Sequence, residues 1–129
     1  MGYRSDVMAL IYPEPGGDKS AKFEQLKVLM ATTFRGVSDE FGDPYMTWLE
    51  DDRVLKFDIR DVKWYPSYPD VQMFEAMLEA FNAASSDDIP GYCTEFVRVG
   101  EETDDVEQRH TGENNEYYLQ VRREIDCNV

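Results

Sequence analysis

The sequence predicts an α+β fold: a ferredoxin-like βαββαβ sheet with two helices on one face, extended by a C-terminal β-hairpin. Three observations lead there. An N-terminal strand-like segment is apolar on both sides, as a central strand is. Two segments with helical apolar spacing each stand between strand-like segments, which is the split βαβ arrangement. The last third of the chain, from residue 92 onward, reads as strands alone.

Residues 3 to 12 alternate, with Val7, Ala9 and Ile11 on one side and Met8, Leu10 and Tyr12 on the other. Pro13, Pro15, Gly16 and Gly17 break the chain, and Ser20 is placed to cap a helix. Phe23, Leu26, Met30, Phe34 and Val37 then repeat at helical spacing, with a stop near Gly36. After a turn through Phe41, Gly42, Asp43 and Pro44, residues 45 to 49 read as a short strand and Glu50-Asp51-Asp52 as a charged hairpin turn.

In the return strand Leu55, Phe57 and Ile59 share one parity, whereas Val62 and Trp64 take the other. A bulge near Arg60-Asp61 brings all five inward. Pro66 and Pro69 end that strand and open a second helix, whose buried stripe is Phe74, Met77, Leu78 and Phe81. Ser85-Ser86-Asp87-Asp88 and Pro90-Gly91 close it. Residues 92 to 99, 103 to 110 and 116 to 125 read as three strands, with Tyr117, Leu119, Val121 and Ile125 marking one buried face.

A chain of 129 residues with 42% hydrophobic composition has the size and apolar content of a single domain, residues 1–129, able to bury a core without disulfides or metal. No apolar run approaches the roughly 18 residues of a membrane span. The N-terminus lacks the apolar stretch and cleavage site of a signal peptide, so the expected location is the cytoplasm. Cys93 and Cys127 are expected to be reduced there. Cys93 reads as a small buried hydrophobe on a strand, with a bridge to Cys127 as the alternative.

Charge bounds the partners. The chain carries 27 Asp and Glu against 13 Lys and Arg, a formal net charge of −14. Such a surface repels nucleic acid and anionic membrane directly and attracts basic protein surfaces, including those of nucleic-acid-binding host proteins. The acids concentrate in two runs, Glu101, Glu102, Asp104, Asp105 and Glu107, and Glu50, Asp51 and Asp52; Asp39, Glu40, Asp43, Asp87 and Asp88 lie in other predicted turns. Imitation of a DNA backbone requires the acids to be segregated on one face, because B-DNA carries a charge per roughly 1.7 Å of axis, and acids in turns could gather at one end of the sheet.

The sequence holds no pattern that specifies a reaction, and a non-enzymatic protein without cofactor or metal is expected. The 101–107 run lacks the alternate acids, sixth-position Gly and twelfth-position Glu of a calcium loop, and fits a solvated turn or a charged, aggregation-resistant edge. His110 is the only histidine and reads as a residue of a hairpin tip, a poor place for a fixed base. One histidine and two distant cysteines make no zinc site, and no glycine-rich phosphate loop is present. One patch runs against the global charge: Arg60, Lys63, Trp64, Tyr65 and Tyr68, with Arg4 and Arg98 on nearby strands. Arg and aromatic residues are enriched at binding surfaces. The competing reading has Trp64 and Tyr65 capping the core while the cations neutralise Asp61 and Asp70.

The opening MGYRSDV, together with EFVRVGEETDDVEQRHTGENNEYYLQVRREI, resembles a family of small uncharacterised proteins encoded by bacteriophages and prophage-bearing bacteria, which share a Gly-Tyr-Arg-Ser opening and a C-terminal Gly-Glu acidic hairpin. The resemblance implies a mobile-element origin, with action in the host cytoplasm, and carries over no catalytic or binding residue. Three readings follow. The first is a small acidic binding protein engaging a basic surface of a host or phage protein, in the manner of an anti-defence or nucleic-acid-mimicking inhibitor. The second is a small-ligand-binding or hydrolytic protein with its site near the Trp64 turn, using carboxylates such as Asp58 and Asp61. The third is a virion or assembly component that pairs through a sheet edge.

Overall fold

β1 (Ser5–Pro13) runs through the middle of the molecule because neither of its faces tolerates water: Val7, Ala9 and Ile11 pack on one side and Met8, Leu10 and Tyr12 on the other. The structure, a computed structural model, describes residues 4–13, 18–42, 45–81, 92–102, 105–110, 119–121 and 125–127. Along the chain β1 is followed by α1 (Lys19–Ala31), α2 (Arg35–Phe41), β2 (Met46–Leu49), β3 (Val54–Val62), α3 (Pro69–Ala80), β4 (Tyr92–Gly100), β5 (Val106–His110), β6 (Leu119–Val121) and β7 (Ile125–Cys127). The fold is α+β, a five-stranded antiparallel sheet of order β2-β3-β1-β4-β5 with three helices, and β6 and β7 pair in a separate two-stranded ribbon.

Several expectations are corrected. The first helix is two helices. Thr32 turns its hydroxyl back onto the Val28 carbonyl at 2.7 Å, and Phe34 donates its N–H to Leu29 at 2.9 Å, which ends α1 and restarts the chain as α2. Gly36 therefore lies inside α2 and does not stop a helix; a Cβ there would stand 2.6 Å from the Met73 sulfur of α3. The cap of α1 is Asp18, whose carboxylate accepts from the Ala21 N–H at 3.1 Å, rather than Ser20. His110 is the last residue of β5, where the strand read over 103 to 110 ends, and the turn expected after it lies outside the described residues.

The C-terminal region differs as well. β5 alone extends the sheet edge, and the segment read as one strand over 116 to 125 contributes the short β6 and β7 instead. That ribbon contacts both β1 and β4. Because both edges of β4 are already occupied by neighbouring strands, the ribbon lies across a face. Met8, Leu10, Val54, Cys93 and Val97 form a second buried cluster on the face opposite the helices. Cys93 is fully buried there, as the sequence suggested. The closing turn at 85 to 91, Gly16-Gly17, Asp104 and Tyr117 lie outside the described residues.

The bulge falls where parity demanded it. Ser5 faces Val62 and Val7 faces Ile59, so β3 carries an extra residue opposite Asp6, and Asp61 takes φ 55°. The Asp6 carboxylate accepts the Asp61 N–H at 2.9 Å, and Arg4 donates to the Asp61 carbonyl at 2.9 Å. Leu55, Phe57, Ile59, Val62 and Trp64 consequently join one helix-side core, where Phe74 packs edge-on to Phe57 at 5.0 Å, Phe41 at 5.4 Å and Trp64 at 5.4 Å.

Candidate functional site

Where the helix layer stops short of β5, the helix side of the sheet opens into a cleft of about 610 Å³. Strand register explains its floor. Phe96 faces Arg109 and Arg98 faces Glu107, so the residues of β5 with the parity of the core are charged ones. Helix α3 supplies the wall, with Val71 and Glu75, and Trp64 closes the inner end.

The cleft is held by a ladder of ion pairs. Arg98 engages Asp105 through two parallel bonds of 2.8 and 3.2 Å, reaches Glu107 at 3.3 Å and donates to the Ser5 hydroxyl at 3.1 Å. The Asp105 hydrogen bonds hold the Arg98 guanidinium above its ordinary range, against the opposing effect of burial. Arg109 meets Glu75 of α3 at 2.7 Å and Glu107 at 3.3 Å, and its guanidinium carbon lies 4.3 Å from the centre of the Phe96 ring. Three carboxylates and two guanidiniums thus line the cleft beside Trp64, with Phe96 buried beneath the Arg109 guanidinium.

The structure separates the two acidic runs. Glu50, Asp51 and Asp52 form the turn between β2 and β3, beside the Ile11 end of β1; Glu101 and Glu102 follow Gly100, which stands beside its Ser5 end. Strand rise puts them roughly 20 Å apart along the sheet. Asp51 and Asp52 are exposed, and Glu50 pairs with Lys27 at 2.7 Å. Glu101 and Glu102 are exposed, whereas Asp105 and Glu107 turn into the cleft.

The Arg and aromatic patch is also divided. Trp64 is 8% exposed and belongs to the core, as the structural reading held. Arg60 pairs with Asp58 and Asp6 at the bulge, Lys63 is exposed, and Tyr65 and Tyr68 pack edge-on at 5.0 Å. Asp58 has the parity of the face opposite the helices and Asp61 is exposed at the bulge, and neither lines the cleft at Trp64. Among the described residues no group of His, Cys, Asp and Glu is arranged to hold a metal ion.

Sequence reading missed Glu75 and Arg109. Glu75 borders the apolar stripe of α3 and looks like a solvated helix position. Arg109 carried a usable signal: counting outward from the acidic turn places it opposite Phe96, on the core parity. No helix among the described residues is long and apolar enough to cross a membrane. No family model, curated protein or solved structure matches the chain.

Proposed function

We propose that the chain is a non-enzymatic binding protein that engages a basic surface of another protein, and that the cleft beside Trp64 receives a cationic side chain of that partner. One observation carries the reading: on a chain of net charge −14, the cleft presents three carboxylates against two guanidiniums beside an indole. A lysine or arginine entering there meets acceptors at Glu75 and Glu107 and an aromatic wall, the pairing that stabilises cations at interfaces. The volume is within the range of small-molecule sites, about 300–1,000 Å³, so a free amine ligand is the second reading.

The wide separation of the two acidic turns supports local engagement rather than imitation of a continuous phosphate strip. In the resembled phage setting, the partner is a host or phage protein with an exposed basic segment. The order β2-β3-β1-β4, antiparallel throughout and linked by crossovers through α1 and α3, supports a ferredoxin-like plan to which α2 and β5 are added.

Isothermal titration with a lysine- and arginine-rich peptide tests this, beside a neutral peptide of equal length and a small diamine. Glu75→Lys is expected to weaken the basic peptide by roughly tenfold or more, the equivalent of about 1.4 kcal/mol. Asp51→Asn with Asp52→Asn, at the far end, is expected to change it little. Equal affinity for basic and neutral peptides, or indifference to Glu75→Lys, overturns the proposal; tight binding of the diamine alone favours the second reading.

A further inference from the structure

We infer that β5 pairs antiparallel with β5 of a second copy of this chain about a two-fold axis at Gln108, joining two five-stranded sheets into one. This goes beyond the reading of the cleft and does not depend on it. Three features of β5 combine to support it: which backbone groups face outward, how its charges are spaced, and where its side chains lie.

β5 ends the strand order, and Val106, 40% exposed, and Gln108 are open to solvent. Gly100 donates its N–H to the Asp105 carbonyl at 2.8 Å, which sets the phase of the β4–β5 ladder. Antiparallel pairs alternate between bonded and non-bonded. Glu107 and Arg109 therefore spend their backbone groups on β4, while Val106, Gln108 and His110 aim theirs away from the sheet. An edge so arranged is a template for another strand.

Charge selects the strand and its register. With Gln108 facing Gln108 of the second copy, Glu107 stands opposite Arg109 of that copy, and Arg109 opposite its Glu107. Sliding by two residues, the smallest step that preserves the hydrogen-bond phase, sets Glu107 against Glu107 in one direction and Arg109 against Arg109 in the other. Opposite charges directly across an antiparallel pair stabilise it and like charges oppose it. Within Val106–His110 the segment is thus self-complementary in one register and sets like charges across the axis in both neighbours, and self-complementarity is what an isologous two-fold contact requires.

The pairing also changes the cleft. A two-fold axis normal to the sheet keeps both helix layers on one side. Each cleft then opens toward the other across the paired β5 strands, forming a trough between the two α3 helices. Glu107 and Arg109 of one copy come within a strand spacing, about 4.8 Å, of those of the other. The second copy supplies an outer wall that β5 by itself lacks.

Sedimentation equilibrium of the full chain, from micromolar to millimolar concentration, reads the outcome directly. The wild type is expected to rise toward twice the monomer mass. Gln108→Pro removes an outward N–H without touching the β4 ladder and is expected to abolish the dimer while far-UV dichroism stays unchanged. Glu107→Arg alone and Arg109→Glu alone are each expected to stay monomeric, because each sets like charges across the axis. An equimolar mixture of those two variants restores opposite charges at both positions and is expected to recover the doubled mass. A wild type that stays monomeric throughout, a dimer that survives Gln108→Pro, or a mixture that stays monomeric overturns the inference.

Discussion

The helix side of the sheet has a closed half over β1 and β3 and an open half over β4 and β5, side by side in one sheet. Over β1 and β3 the face is sealed: Phe57, Phe74, Phe41 and Trp64 interlock, and Phe57 and Phe74 retain no exposure. Over β4 and β5 the same face ends at Phe96, whose outer side is covered by the Arg109 guanidinium instead of another ring. The aromatic cluster is continuous up to that point, since Phe96 lies 6.5 Å from Phe74 and 6.4 Å from Trp64. A core becomes a site where β5 reaches past the helix layer and charged residues inherit the inward parity.

The largest way to break this contrast is in the closed half. Phe74→Ala removes the ring that joins α3 to α2 and β3, and should cost about 3–5 kcal/mol of unfolding free energy in urea. A loss below about 1 kcal/mol would mean that the closed half can collapse around the gap. In the open half Arg109→Ala should cost far less, about 0.5–1 kcal/mol, because exposed cation–π contacts and ion pairs contribute little to stability. Such a small cost with altered peptide binding would mark the open half as a site rather than a support.

The smallest effect concerns pH and sharpens the closed half again. Tyr92 packs on Phe81 at 5.2 Å and donates its hydroxyl to the Lys22 carbonyl at 2.8 Å; burial raises its phenol above the ordinary value of 10.0. The folded state therefore favours the neutral phenol. Its contribution is complete below the unfolded value and is lost as pH rises through the folded one. Alkaline melts should show a loss of stability beginning near pH 10.0 that Tyr92→Phe lacks.

Much of the architecture was legible in residue patterns because burial imposes its period directly. The two apolar faces of β1, the parity break that demanded a bulge at Arg60-Asp61, the stripe of α3 and the buried Cys93 each follow from local alternation and volume. The break between α1 and α2 was hidden, because Phe34 and Val37 continue the helical spacing although Thr32 turns the backbone. There the carbonyl contacts of a hydroxyl outweigh a pattern of apolar positions.

By itself the sequence determined composition, charge and the inward face of each long element, since these depend on neighbours a few residues apart. Tertiary structure alone decided what each charge meets. It set the acidic turns at opposite ends of the sheet, laid β6 and β7 across a face, and brought Glu75 of α3 onto Arg109 of β5, 34 residues away. Ion pairs have no sequence period: their partners are chosen by strand order and register, which emerge only when the apolar faces have closed on one another.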